Sequence, residues 1–229
     1  LSGAMDLGGA MRQITVNNAA DTISGVISGA GGITKAGTGA LTLSGANTYS
    51  GGTTINAGKI VVDSDGNLGD ASGQLAFGGG GTLQITSGFA SARNVTLNAG
   101  GGTFDTNGSD LTMLGSMTGT GPLIKRGDGV LTLSGANTYT GATTINGGIL
   151  RAGVNNALST TTAVTLANTA RVALDLNNFD VTIGSLAGGG TTGGNVTLGS
   201  GTLTAGSSSS TTYAGIISGT GGLVKKGTG

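Results

Sequence analysis

Cysteine, histidine, tryptophan and glutamate are missing from the 229 residues, and proline occurs once. Without cysteine there can be neither a disulfide nor a thiolate metal site. Extracellular proteins often use disulfides, yet a chain that must cross a pore unfolded has reason to avoid them. Without histidine or cysteine the common nucleophile–base pairs cannot be assembled, and there is no GxSxG sequence. Charged residues are 9% of the chain, ten basic against ten acidic, the acidic ones all aspartate. That balance lacks the clustered Lys and Arg that neutralise phosphates or hold a protein to an anionic membrane surface. No nucleic-acid partner, cofactor or small-molecule substrate is therefore expected. No apolar run reaches the roughly 18 residues of a membrane helix, and the first residues do not read as a signal peptide. If the parent is secreted, its leader is expected outside this stretch.

Glycine, by contrast, is abundant, at 50 of 229 residues. It has no three-residue period, which excludes a collagen-like coil. Thr, Val, Ile and Leu are frequent and the mean hydropathy is positive, at +0.20, which argues against disorder. No helical 3.6-residue period is visible, and glycine at this density opposes helix. The composition fits many short strands joined by glycine-rich turns.

One stretch occurs twice. Gly39 to Asn56 reads GALTLSGANTYSGGTTIN and Gly129 to Asn146 reads GVLTLSGANTYTGATTIN, with Leu41–Tyr49 recurring unchanged as Leu131–Tyr139. The copies span 21–62 and 111–152, and a truncated third spans 211–229. Self-similarity of this kind marks a repeat architecture, and all 229 residues are expected to form one such domain, a piece of a longer rod.

Comparing the copies shows which positions face inward. Ile23 becomes Met113 and Tyr213; Ile27 becomes Met117 and Ile217; Gly25 is glycine in all three, while Ser24 drifts to Leu114 and Ala214. Ile60 and Val62 correspond to Leu150 and Ala152, whereas Lys59 and Val61 become Ile149 and Arg151. This period of two predicts strands with 23, 27, 60 and 62 inside and 59 and 61 outside. In LTLS, Leu41 and Leu43 face in. Further strands are expected at Gln74–Phe77, Thr82–Ile85, Asn94–Leu97, Ala163–Leu166, Arg171–Leu176, Asp180–Ile183, Asn195–Leu198 and Thr202–Thr204. Hairpin signals are weak. About twenty strands at three per turn predict roughly seven or eight turns and a rod about 35 Å long. Coiling also leaves free strand edges only at the ends, so concentration-dependent end-to-end association or frayed termini are expected.

The run from Gly29 to Gly39, GAGGITKAGTG, followed by LTLSGANTYSGGTTINAGKI, resembles the autotransporter-associated β-strand repeat, also called the passenger-associated transport repeat. GTGPLIKRGDGVLTLSGANTYTGATTINGGIL matches as well, and SGTGGLVKKGTG matches the first third. One departure is Pro122, where the other copies have Gly32 and Gly222; proline is tolerated at a strand's first residue. The resemblance implies an all-β, right-handed parallel β-helix (a solenoid) in the secreted passenger of a type V autotransporter. It also implies an outer-membrane β-barrel at the C-terminus of the same polypeptide and a location on the bacterial cell surface. The function it implies is that of a non-enzymatic stalk promoting export, folding and display. The alternative is an adhesin surface that binds glycans or mediates self-association between cells.

Five sets of residues invite a chemical reading. Tyr49 and Tyr139, each in Asn-Thr-Tyr, could stack on sugars; the plainer expectation is Asn in a turn and Tyr packed beside the next turn. Lys35, Lys125 and Lys225 could line an anion-binding stripe, but solvated strand-end charges that discourage edge pairing are expected. Asp63, Asp65 and Asp70 form an acidic cluster with oxygen ligands for Ca²⁺; it lacks the distal Glu of an EF-hand and does not recur at Gly153–Asn156, which favours a polar turn. Asp175 with Asp180, and Asp105 with Asp110, are candidate carboxylate pairs for glycoside cleavage. Five-residue spacing puts each pair on opposite faces of a continuous strand, although Gly108 offers a break. Gly78–Gly81 and Gly188–Gly190 lack the helix and lysine of a phosphate cradle. No catalytic, cofactor-binding or metal site is expected.

Overall fold

The computed structural model describes residues 1–229. It contains 27 strands, one 3₁₀ turn at Asp65–Leu68 and no α-helix. Every strand pairing is parallel, each strand lying on one from the preceding turn. The register steps run from 19 residues, Leu41 beside Ile60, to 24, Leu150 beside Leu174. The chain is thus a parallel β-solenoid of about 11 turns.

Its wall has three faces. The first begins with Met5–Asp6 and Ile27–Ser28 and resumes as seven strands from Phe89–Ser91 to Ile217–Ser218. The second runs over six strands from Arg12–Thr15 to Met117–Gly119 and resumes at Val181–Ile183, Leu203–Ala205 and Leu223–Lys225. The third is unbroken over nine strands, from Ala20–Ile23 to Ser185–Gly188. Alternation decides what lies inside. Ile60 and Val62 are buried while Lys59 and Val61 face outward, as the copies predict, and Leu41 and Leu43 are buried. A single core of 43 residues fills the coil, with Phe77 and Phe104 packed edge to face at 5.2 Å.

Two expectations change. The turns number about 11 rather than seven or eight because corners are very short and several strands have only two or three residues. Residues 23–27 are not one strand: a strand ends at Ile23, Ser24–Val26 form a corner, and Ile27 begins the next face. Both readings share the period of two, since a tight corner can preserve parity. Gly25 makes this corner possible, because a Cβ there would strike the Gly3 carbonyl one turn earlier. The recurrence of glycine at 115 and 135 follows from the same stacking, a Cβ at Gly135 meeting the Gly115 carbonyl. Pro122 lies immediately before the strand Leu123–Arg126, where no ladder amide is demanded of it.

The copies do not point the same way. Stepping up the third face from Leu41 leads through Ile60, Leu83 and Phe104 to Lys125. Four turns therefore take 84 residues (125 − 41), and the remaining six of the 90-residue offset carry Leu131 onto the first face. The second copy is rotated by one third of a turn. Each copy interrupts a different face, the first face after Gly45 and the second after Gly135.

Candidate functional site

The polar residues of the repeat occupy the places where the wall is interrupted. Asn47 bridges three turns. Its Oδ1 accepts from the Ile27 amide at 2.8 Å and its Nδ2 donates to Asn67 O at 2.6 Å. Asn137 does the same, accepting from Met117 N at 2.7 Å and donating to Ala157 O at 2.5 Å. The side-chain amide takes over pairing that the backbone gives up, which is why GANTY is not a strand. Buried backbone groups must find partners, and one asparagine per interruption supplies them.

Tyr49 and Tyr139 are fully buried. The Tyr139 hydroxyl lies 2.7 Å from Thr143 Oγ1, which lies 3.0 Å from Thr162 Oγ1, and Thr162 donates to Gly141 O at 2.8 Å. One proton per hydroxyl fixes the direction of this chain: Tyr139 donates to Thr143 and Thr143 to Thr162. Tyr49 likewise donates to Thr53 at 2.6 Å, since Thr53 donates to Leu68 O. Neither ring can stack on a sugar outside the coil, so the sugar-platform reading is excluded and the packing reading stands.

The lysines are the main correction. Lys35 and Lys125 are 0% exposed, not solvated. Both sit at inward positions at the ends of their strands, so the stem runs inside and the ammonium reaches the corner. Lys35 Nζ donates to the carbonyls of Ala36 and Gly37 at 2.8 Å and of Ala57, one turn on, at 3.3 Å. Lys125 Nζ meets Arg126, Gly127 and Gly147 carbonyls at 2.7–2.9 Å and Thr106 Oγ1 at 2.9 Å. Lys225 makes the two local bonds, to Lys226 O and Gly227 O, and is exposed in the last turn. An anion stripe is therefore impossible at Lys35 and Lys125, whose donors are already engaged.

Burial lowers the Lys125 pKa from 10.5 to about 8, against the opposing pull of Asp105, Asp128 and Asp110. Between those values the folded chain binds fewer protons there than the unfolded chain, so this contribution to stability grows as pH rises. The tyrosines act in the opposite sense. Burial raises Tyr49 and Tyr139 from 10.0 to about 12, so their contribution is complete below pH 10 and is lost on the way to 12. The urea midpoint is expected to climb from pH 8 to about 10 and then fall. A flat profile from 8 to 12 contradicts this assignment.

Arg93 was not singled out by the sequence, yet it has the largest fully buried side chain. Its Nε pairs with Asp65 Oδ1 at 2.9 Å. Its two terminal nitrogens donate to the carbonyls of Asp70 (2.6 Å), Gly73 (3.0 Å), Asp65 (3.1 Å) and Gly69 (2.7 Å). The guanidinium holds the 65–73 loop from the turn above. The available signal was an acidic cluster followed about one turn later by an arginine at inward parity.

Of the clustered aspartates Asp63 is exposed, and the other two are engaged. Asp65 serves Arg93, and Asp70 accepts from the Ser72 amide and hydroxyl at 2.9 and 2.6 Å, which hold its carboxyl below the usual range. No group of three acidic side chains is placed to hold a metal ion. Asp105 takes Gln84 and the Asn107 amide, and Asp110 takes the Val130 amide. Asp175 takes Arg151 and the Asn177 amide, and Asp180 takes the Thr202 amide. Neither pair lies on a continuous strand. Each is split by a corner, at Asn107–Gly108 with φ 45° and 86° and at Asn177–Asn178 with φ 50° and 71°, so the parity argument does not apply. Their carboxylates orient corners and neighbouring turns.

The passenger-associated-transport-repeat family model matches residues 33–62 and 123–152. Over its whole length the chain is similar to the "Adhesin BmaC autotransporter" of Brucella suis biovar 1 (strain 1330), 40% identical across 243 aligned residues. It spans only 7% of that relative's length. No solved structure matches.

Proposed function

The chain carries two passenger-associated transport repeats of autotransporter passengers, and from that premise we propose that it is a stalk segment whose repeats serve export, folding and display. The segment is one domain of a longer right-handed rod that ends in an outer-membrane barrel and stands on the cell surface. One observation carries this reading. The distinctive side chains shared by the two copies, Lys35, Leu41, Leu43, Asn47 and Tyr49 with their counterparts, are buried or bonded to adjacent turns. A residue kept for a ligand would be exposed; these are consumed in holding turns together.

Turn-by-turn stacking suits a chain that emerges from a pore, since each turn needs only its neighbour to fold. Lys35 and Asn47 each find a partner one turn later, at Ala57 and Asn67, so each new turn completes the bonding of the last. Replacing Gly37–Val62 in the parent by a neutral Gly/Ser spacer of equal length is expected to lower surface yield at least tenfold. Unchanged yield with loss of cell attachment would move the function to the rod's exterior. The relative's description as an adhesin favours that second reading, glycan binding or self-association, and with the tyrosines buried it falls to the exposed polar side chains.

A further inference from the structure

Between Ile33 and Gly119 the strands of the second face carry no outward charge; Arg12 in its first strand and Lys225 in its last are its exposed charges. Its strands Ile33–Ala36, Thr53–Ile55, Leu75–Phe77, Val95–Leu97 and Met117–Gly119 contain one charged residue, Lys35, and that points inward. The third face carries Lys59, Asp105 and Arg126, and the first carries Arg151 and Asp175 on its exterior. The register aligns the outward side chains of the second face in one row: Thr34, Thr54, Ala76, Thr96 and Thr118. Thr138 follows, its amide donating to Met117 O at 2.8 Å. Successive members stand one strand spacing apart, about 4.8 Å, with Ala76 the one position lacking a hydroxyl.

The row ends in a cleft. Where the second copy interrupts this face, Asn137, Thr138, Thr140, Asn155, Asn156 and Thr160 line a depression of about 450 Å³ with no charged residue in its wall. Two of its amides are held in place. Asn155 Oδ1 accepts from the Asp180 amide at 2.9 Å and Asn156 Oδ1 from the Thr182 amide at 3.0 Å, which leaves each NH₂ group free to donate. Asn156 also has a left-handed backbone, φ 52°. Both asparagines and Thr138, Thr140 and Thr160 are exposed.

We propose that this row and cleft bind a linear, uncharged polysaccharide lying along the coil axis. Fixed amide donors and free hydroxyls match the mixed donors and acceptors of sugar hydroxyls, and preorganisation lowers the entropy lost on binding. An extended pyranose chain advances per sugar by a distance close to one turn of the coil, so successive sugars meet successive threonines. A charged polymer would find no counter-charge along the strands from Ile33 to Gly119 or in the wall of the cleft. The proposal rests on surface display only in requiring the face to be accessible outside the cell, and it gives the adhesive reading a location.

The test is calorimetric titration of the purified chain with neutral di- to hexasaccharides of glucose, galactose, mannose and N-acetylglucosamine, with sulfated oligomers of equal length as controls. Saturable binding that strengthens with length is expected for at least one neutral series. It should weaken at least tenfold in Asn156→Gly, which suits the left-handed backbone, and in the outward pair Thr118→Val with Thr138→Val, which keeps shape and β-propensity. Thermal melting will show that both variants are folded. Absence of saturable binding, equal binding of sulfated oligomers, or binding untouched in both variants overturns the proposal. Surface yield of the parent reads out the stalk function separately and should not change in these variants.

Discussion

Arg93→Ala is expected to lower the unfolding free energy by about 3–5 kcal/mol, the range for breaking a buried, hydrogen-bonded ion pair by removing one partner. The Arg93 side chain is 1% exposed and makes five hydrogen bonds, four of them to carbonyls of the 65–73 loop. Truncation leaves those carbonyls and the Asp65 carboxylate short of donors. Arg93→Lys should recover little, because one ammonium has three donors and cannot span acceptors arranged around a planar fork. The loss is placed where a solenoid is most sensitive. Stability there is a sum of turns and of contacts between neighbours, and Arg93 joins one turn to an irregular loop below it. Urea unfolding of the variant should therefore show a lower midpoint and a reduced or split transition. A loss below about 1 kcal/mol would mean that the loop is held by its own hydrogen bonds.

Tyr139→Ala should also cost about 3–5 kcal/mol, the range for removing a buried aromatic side chain. The ring is 0% exposed and its hydroxyl heads the chain through Thr143 and Thr162 to Gly141 O. Tyr139→Phe separates the two contributions. It keeps the ring and removes one donor, so about 1 kcal/mol is expected. The magnitude checks the packing reading: an exposed ring would change stability by less than about 0.5 kcal/mol. Chemical denaturation of both variants measures it.

Legibility in the sequence followed the repeat. Where two copies could be compared, the alternation at 60–62 and 150–152 was readable residue by residue, because burial constrains one face of a strand and leaves the other free. Between the copies there was nothing to compare, and Arg93 with its loop went unread. The number of turns was misjudged for a related reason. Strands as short as Met5–Asp6 or Ile217–Ser218 carry too few residues for a period to be counted, and a corner such as Ser24–Val26 does not interrupt parity. The lysines show a different limit. The recurrence of lysine at 35 and 125 was visible, but a charged residue at a strand end is ordinarily solvated, and only the position of the next corner reveals carbonyls within reach.

The sequence by itself determined that this chain is a coil of short strands with glycine at its corners. Glycine recurs where another turn's backbone lies too close for a Cβ, and apolar residues alternate where one face is sealed from water; both constraints act locally and are written along the chain. The tertiary structure decided how many turns there are, that the second copy is rotated by a third of a turn, and which polar groups are enclosed. It also decided that Thr34, Thr54, Thr96, Thr118 and Thr138 share one row on the second face. These follow from register, which depends on the length of every intervening corner, so a change of a residue or two in any of them would move a side chain to another place on the wall.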